Sequence, residues 1–102
     1  MNQKMDTLHL SGKLICASED EVEIIQKYLP EHIWLTRAEP GCLSFEVEQT
    51  SNHLVWRVEE CFIDQDAFAL HQARTRASDW WVATAKIKRD YEINPAAQNN
   101  AK

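Results

Sequence analysis

A helix-breaking dipeptide near the middle of the chain fixes the order in which its elements can form. Pro40-Gly41 must end the helical pattern before it, because proline lacks a backbone N–H and glycine adopts conformations that close helices. Apolar and polar residues then alternate, which predicts a strand from Cys42 to about Gln49. After a turn at residues 50–53, a second strand is expected over residues 54–62, so the two form a hairpin.

The segment before the break predicts one strand and one long helix. Apolar residues alternate with polar ones over positions 8–16, and Gly12 suggests a bulge or a bend in that strand. Ser18-Glu-Asp-Glu21 is a capping box, which opens an amphipathic helix. Pro30 lies inside the helical pattern and is expected to kink the helix or to restart it as a second piece.

The segment after the hairpin predicts two helices and a last strand. Asp64 can cap a helix that runs to about Arg74, and Ser78 can cap a short helix that carries two tryptophans. Alternation over residues 87–93 predicts the final strand.

The resulting order, β-α-β-β-α-β, predicts an α+β protein with a ferredoxin-like fold. Short connections and right-handed crossovers give one four-stranded antiparallel sheet with helices on one face. With 102 residues and no visible linker, residues 1–102 are expected to form a single domain. Its core is expected at about residues 6–94, with a disordered polar tail at 95–102.

The side chains of the predicted hairpin separate into an apolar face and a polar face. If the turn centres on Ser51-Asn52, Val47 faces Trp56, Phe45 faces Val58 and Leu43 faces Glu60, while Glu46 meets Arg57 and Cys42 meets Cys61 on the other face. Glu60 then lies on the helix-covered face, where lost solvation should raise the pKa of its carboxyl group. The alternative is that Glu60 reaches water at the strand end.

His71 is the second candidate proton carrier. It shares a helical face with Ala67, Phe68 and Thr75, and that face should look at the sheet. Imidazole and a carboxyl group with a raised pKa both exchange protons near neutral pH, so His71 and Glu60 are predicted to be catalytic. A purely structural histidine with one hydrogen bond is the alternative.

Aromatic and basic residues around this pair are predicted to bind a small aromatic ligand. The predicted ligand-binding residues are Trp56, Phe45, Phe68, Arg74, Trp80 and Trp81. For Arg74, the alternative is a position in a solvated loop.

The remaining histidines do not predict a metal site. His32 is expected to be half exposed, His9 to point outward and His53 to lie in the turn.

Charge, hydropathy and cysteine content limit which partners and which cellular compartment are expected. A net charge of −5 repels phosphate backbones, which argues against nucleic acid. The sequence lacks both an apolar run long enough to span a membrane and an apolar N-terminal leader, so no membrane partner is expected. Three cysteines that match no zinc pattern suggest reduced thiols and a cytoplasmic protein.

The sheet face that the helices leave open predicts a homodimer. Ile15, Cys42, Val55 and Cys61 are expected on that face among polar residues, and two-fold packing of identical faces would cover them. The alternative is a monomer with a solvated sheet face.

Three segments resemble the antibiotic biosynthesis monooxygenase domain family. They are Glu39-Pro-Gly-Cys-Leu-Ser-Phe45, Trp56-Arg-Val-Glu-Glu60 and Phe68-Ala-Leu-His71, within a similarity that covers about residues 8–93. The resemblance implies a dimeric α+β barrel, and it implies a histidine at position 71 followed by serine or threonine four residues later, here Thr75. It also implies oxygenases that use neither flavin nor metal.

The expected function is therefore a cofactor-independent monooxygenase acting on a small phenolic or quinol-type compound. A non-catalytic dimer that binds such a compound is the main alternative, and a structural dimer whose tryptophans fill its own interior is another. Haem-degrading and isomerase-type relatives exist, but the haem-degrading ones carry an asparagine on the first strand, which is absent over residues 8–16.

Overall fold

The computed structural model describes residues 7–94 and has the predicted element order, with a four-stranded antiparallel sheet in the order β2-β3-β1-β4. The helices cover one face of the sheet, so the ferredoxin-like α+β prediction is confirmed. The predicted tail at 95–102 lies outside the described residues. The elements are β1 (Leu8–Ile15), α1 (Glu19–Arg37), β2 (Cys42–Gln49), β3 (Val55–Phe62), α2 (Gln65–Arg76), α3 (Asp79–Ala83) and β4 (Lys88–Asn94).

Helix α1 runs unbroken through Pro30, so the predicted restart is wrong. Pro30 is exposed, and the helix continues beyond it because residues on either side bury their apolar face against the sheet. Neither hydrogen bond of a standard capping box forms, because Glu21 reaches back to the residue before the N-cap. The Ser18 side chain makes no cap hydrogen bond, whereas the Glu21 carboxylate accepts a hydrogen bond of 2.7 Å from the Ala17 N–H.

The predicted caps of α2 and α3 are both present. The Asp64 carboxylate accepts a hydrogen bond of 2.8 Å from the Ala67 N–H, and the Ser78 hydroxyl accepts one of 3.3 Å from the Trp81 N–H. Helix α2 ends at Arg76, two residues beyond the predicted end. These caps fix where the two helices begin, and hence which of their side chains reach the sheet.

The predicted hairpin register is wrong by two residues. Phe45 pairs with Glu60 and Val47 pairs with Val58. The turn is wider than predicted because the Thr50 hydroxyl accepts the Asn52 N–H at 3.2 Å and the Asn52 side-chain oxygen accepts the Leu54 N–H at 3.1 Å. Side chains alternate with a period of two, so this shift changes partners without exchanging the faces.

The other predicted hairpin pairs are also wrong, because of this shift and of a bulge between Cys42 and Ser44. Leu43 lies at the bulge and is 57% exposed, so it leaves the apolar face where it was predicted. Cys42 turns to the core side opposite Phe62, so it does not meet Cys61. Glu46 stands opposite Glu59.

The predicted bulge at Gly12 is absent. Gly12 pairs in continuous register with Val58 on β3 and with Tyr91 on β4. A Cβ atom at this position would lie 2.3 Å from the Asp90 carbonyl oxygen and 2.6 Å from the Tyr91 ring. Glycine is therefore required because β4 approaches the backbone closely here.

The two faces of the sheet differ in composition. The face under the helices carries the buried core, including Leu10, Leu14 and Phe62. On the open face, Ile15, Val55 and Cys61 are half-buried among exposed charged residues. No helix within residues 7–94 is both long enough and apolar enough to cross a membrane.

Candidate active site

A cavity of about 140 Å³ lies between the sheet and the helices. This volume is close to that of an engineered cavity of about 150 Å³ that holds benzene, so one aromatic ring fits. Of the predicted site residues, six line the cavity and two do not: Phe45, Glu60, Phe68, His71, Trp80 and Trp81 do, whereas Trp56 and Arg74 are absent from its walls. The other lining residues are Leu10, Leu14, His32, Val47, Val58, Gln72, Thr75, Arg76, Arg89, Tyr91 and Ile93.

Glu60 lies on the inner face of β3 and is only 6% exposed. Burial raises the pKa of its carboxyl group to about 8, and the negative charge of Glu39 acts in the same direction. The positive charge of Arg89 opposes this rise in pKa without cancelling it. Glu60 is therefore mainly protonated at neutral pH and can donate a proton into the cavity.

His71 faces Glu60 from helix α2. Its Nδ1 lies 3.0 Å from Glu39 Oε1, and its Nε2 lies 3.8 Å from Glu60 Oε1 and 3.4 Å from the Thr75 hydroxyl. Burial lowers the pKa of His71, although the carboxylate of Glu39 partly offsets this. A carboxylate can only accept, so it selects the tautomer with hydrogen on Nδ1 and leaves the Nε2 lone pair as a base.

Glu39 is one of the residues of the site that the sequence analysis did not assign. Its Oε2 accepts a hydrogen bond of 2.7 Å from Arg74 Nε, while Arg74 Nη2 donates to the Thr36 hydroxyl at 2.8 Å. Arg74 thus holds Glu39 against His71 and does not reach the cavity. The only available signal in the sequence was that Glu39 lies directly before the Pro40-Gly41 break, just beyond the end of the helix.

His32 is buried, which corrects the prediction that it is half exposed. Its ring stacks on Trp80 with centroids 4.8 Å apart and planes at 5°, and its centroid lies 5.8 Å from that of His71. Burial lowers the pKa of His32 to about 3, and its Nδ1 has no hydrogen-bond partner among the described residues. Helical spacing from Leu29 could have found it, because position 32 shares the buried face of α1.

Strand β4 contributes two polar residues to the cavity wall. Arg89 donates to the Thr84 carbonyl at 3.0 Å, to the Ile87 carbonyl at 3.2 Å and to the Thr84 hydroxyl at 2.8 Å. Burial raises the pKa of Tyr91 to about 12, so its phenol stays protonated. The alternation that predicted this strand had already placed both residues on one face.

The geometry supports proton transfer in a mostly apolar enclosure. A neutral imidazole and a neutral carboxyl group face the same space, and aromatic rings provide flat walls. Among residues 7–94, no group of three or more histidine, cysteine, aspartate and glutamate side chains is placed to hold a metal ion.

A family model described as antibiotic biosynthesis monooxygenase matches residues 15–83, which is more than half of the chain. His71, Glu60, Glu39 and His32 all lie inside that range. This match supports a monooxygenase-type function and leaves the substrate open. Among curated proteins, none matches the chain significantly in sequence.

Solved structures with low sequence identity share the fold. MupZ from Pseudomonas fluorescens is 19% identical with a TM-score of 0.75, covering 99% of this chain and 75% of MupZ. SnoaB from Streptomyces nogalater, a cofactor-independent oxygenase, is 13% identical with a TM-score of 0.70 over 89% of this chain and 93% of SnoaB. A proposed antibiotic biosynthesis monooxygenase from Nitrosomonas europaea is 16% identical with a TM-score of 0.72, covering 84% and 86%.

Proposed function

Because the chain belongs to the antibiotic biosynthesis monooxygenase family, we propose that it is a cofactor-independent monooxygenase that oxidises a small, single-ring phenolic or quinol-type compound. The observation that carries the proposal is the position of His71 Nε2, 3.8 Å from the carboxyl group of Glu60 at the wall of an apolar cavity. The cavity volume of about 140 Å³ supports a ligand with a single ring.

The reaction would begin with removal of the phenol proton by His71 Nε2. The phenolate is electron-rich and gives one electron to O2, and the resulting superoxide joins the ring radical through a new carbon–oxygen bond. The imidazolium returns its proton to this peroxide. The substrate is thus the reductant, and the protein supplies the base, positions the ring and keeps bulk water out.

The second half of the reaction would use both members of the pair. His71 takes the hydrogen from the carbon that carries the peroxide, the O–O bond breaks, and a carbonyl forms at that carbon. The departing hydroxide takes a proton from Glu60 and leaves as water, and the imidazolium then reprotonates Glu60. The sum is phenol plus O2 giving quinone plus water, so atoms and electrons balance.

Oxygen consumption tests the proposal. We expect the purified protein to consume O2 with at least one member of a panel of single-ring phenols and quinols, with one 18O atom from 18O2 in the product. His71→Gln should lower the turnover roughly 100- to 10,000-fold, which is the range for loss of a general base. His53→Gln is the matched control, since His53 is exposed in the hairpin turn.

Three results would reject the proposal. Unchanged turnover in His71→Gln would remove the proposed base. Saturable binding of these compounds with no O2 consumption would favour the non-catalytic binding protein, whereas neither binding nor turnover would favour a structural dimer.

The open sheet face supports a dimer as a further part of this proposal. Residues of β1 and β3 on this face, such as Ile15 and Val55, are half-buried, and no helix within residues 7–94 covers them. Light scattering should give twice the chain mass at micromolar concentration, and Val55→Lys should reduce it to one chain mass. A monomeric wild-type protein would contradict pairing through this face.

The thiols support the proposed cytoplasmic location. Cys16, Cys42 and Cys61 are all free, which is the usual state in a reducing compartment. Titration of three free thiols in the protein as isolated would agree with this proposal, and a disulfide would contradict it.

A further inference from the structure

We propose that the ligand of this cavity is an aromatic acid, whose carboxylate binds Arg89 while its ring hydroxyl lies at His71 and Glu60. The inference deepens the proposed function, because it uses the same cavity and names the chemical class of the substrate. It rests on how Arg89 is held, on the charges around it and on the shape of the enclosure.

Arg89 is held in place by neutral groups. Its guanidinium donates to two main-chain carbonyls and to the Thr84 hydroxyl, at 2.8 to 3.2 Å. No carboxylate within residues 7–94 forms an ion pair with Arg89. By contrast, Arg57 pairs with Glu48 and Arg74 pairs with Glu39. Arginine has five N–H donors, so donors remain for a ligand once these three contacts are made.

The surroundings leave the positive charge of Arg89 uncompensated at neutral pH. Glu60 is the acidic group of the cavity wall, and burial keeps it mainly protonated. His32 and His71 are neutral for the same reason, and Tyr91 keeps its hydroxyl hydrogen. The enclosure therefore carries a net positive charge, and an anionic group on the ligand would neutralise it.

The position of Arg89 fits a ligand with an acid at one end. Its guanidinium carbon lies 5.3 Å from the centre of the Trp81 ring, and Trp81 is 38% exposed, so Arg89 lies where the cavity wall approaches solvent. His71 and Glu60 are 4% and 6% exposed and lie at the buried part of the wall. A ring between these parts can place its hydroxyl at the base and its carboxylate at Arg89.

Binding without turnover tests the inference. We would measure dissociation constants by tryptophan fluorescence quenching under anaerobic conditions, because Trp80 and Trp81 line the cavity. The probes are the 2-, 3- and 4-hydroxybenzoates and the matching hydroxybenzamides, which have the same shape without the charge. A charge-assisted pair predicts that the best acid binds roughly 10- to 100-fold more tightly than its amide.

Variants of Arg89 locate the effect. Arg89→Gln should remove the preference for the acid, and Arg89→Lys should restore part of it. Arg57→Gln, on the open sheet face, is the control and should retain the full preference. If Arg89→Gln does not fold, the comparison of acid with amide in the wild-type protein still decides the question.

The outcomes separate this inference from the proposed function. Equal binding of acid and amide, a preference retained in Arg89→Gln, or no binding of any hydroxybenzoate would overturn the inference. Oxygen consumption with neutral phenols and no preference for acids would reject only the aromatic-acid class. Preferential binding of the acid through Arg89 without any oxygen consumption would reject the monooxygenase and keep the ligand class.

Discussion

Replacing Glu60 with glutamine should make the protein more stable at neutral and alkaline pH. The folded protein holds the pKa of this carboxyl group at about 8, against 4.5 for the solvated group. A carboxyl group with a raised pKa favours folding fully below the unfolded pKa, and this advantage is lost as the pH rises towards 8. Glutamine has the same shape and never ionises, so the variant escapes that loss.

The magnitude follows from the two pKa values of Glu60. The gap between 8 and 4.5 is worth about 5 kcal/mol in total, at about 1.36 kcal/mol for each pH unit. The unfolding free energy of Glu60→Gln minus that of the wild type should therefore rise by about 3 kcal/mol between pH 4.5 and 7, and by about 4 kcal/mol by pH 9. Such a difference is a large fraction of the usual unfolding free energy of a small domain, which is about 5–15 kcal/mol.

Urea denaturation of both proteins at a series of pH values provides the assay. Other titrating groups are common to the two proteins and cancel in the difference. Glu23→Gln is the matched control, since Glu23 is exposed on α1. Parallel stability curves for Glu60→Gln and the wild type would refute the reasoning, because they would mean that Glu60 ionises as readily in the folded protein as in the unfolded one.

Three further changes test other parts of the structure. Glu39→Gln removes the negative charge that holds the His71 ring and raises the pKa of His71, so turnover should fall roughly a hundredfold and the acidic limb of the pH–rate profile should move to lower pH; an unmoved profile would contradict this positioning role. His32→Phe keeps a stacked ring but cannot be protonated. Because burial lowers the pKa of His32 from 6.5 to about 3, the unfolding free energy of the wild type should fall by about 2 kcal/mol more than that of the variant when the pH drops from 8 to 5. An equal fall in denaturation experiments would show a solvated imidazole. Gly12→Ala should lower the unfolding free energy by roughly 1–3 kcal/mol in urea, because its Cβ would meet the Asp90 carbonyl oxygen at 2.3 Å; wild-type stability would mean that β4 can move away.

The order and faces of the elements were predictable because local signals agree with one another. Pro40-Gly41 ends α1, Asp64 starts α2, and strand alternation places Glu60 on the covered face. From Ser44 onward the faces survived an error of two residues in the hairpin register, since that error is a whole period of a strand, whereas the bulge moved Cys42 and Leu43 to the opposite sides. The register itself depends on side-chain hydrogen bonds of Thr50 and Asn52 within the turn, which the simple two-residue turn did not include.

The centre of the site was only partly predictable because its key contacts join distant segments. Glu39 and Arg74 are 35 positions apart, and nothing in either local pattern indicates that they pair. Arg74 was therefore predicted to bind ligand, although it holds the residue that orients His71. His32 was missed for a simpler reason, since the neighbouring Ile33 also fitted the helical spacing and is the more usual core residue.

The protonation states of His71 and Glu60 in one sample test the central claim most directly. A nuclear magnetic resonance titration with 15N-labelled histidine and 13C-labelled glutamate would follow both groups at once. The account predicts a neutral His71 at pH 7 with hydrogen on Nδ1, and a Glu60 carboxyl carbon that titrates near pH 8. A Glu60 that titrates near its ordinary value of 4.5, or a His71 that is protonated at pH 7, would contradict the account.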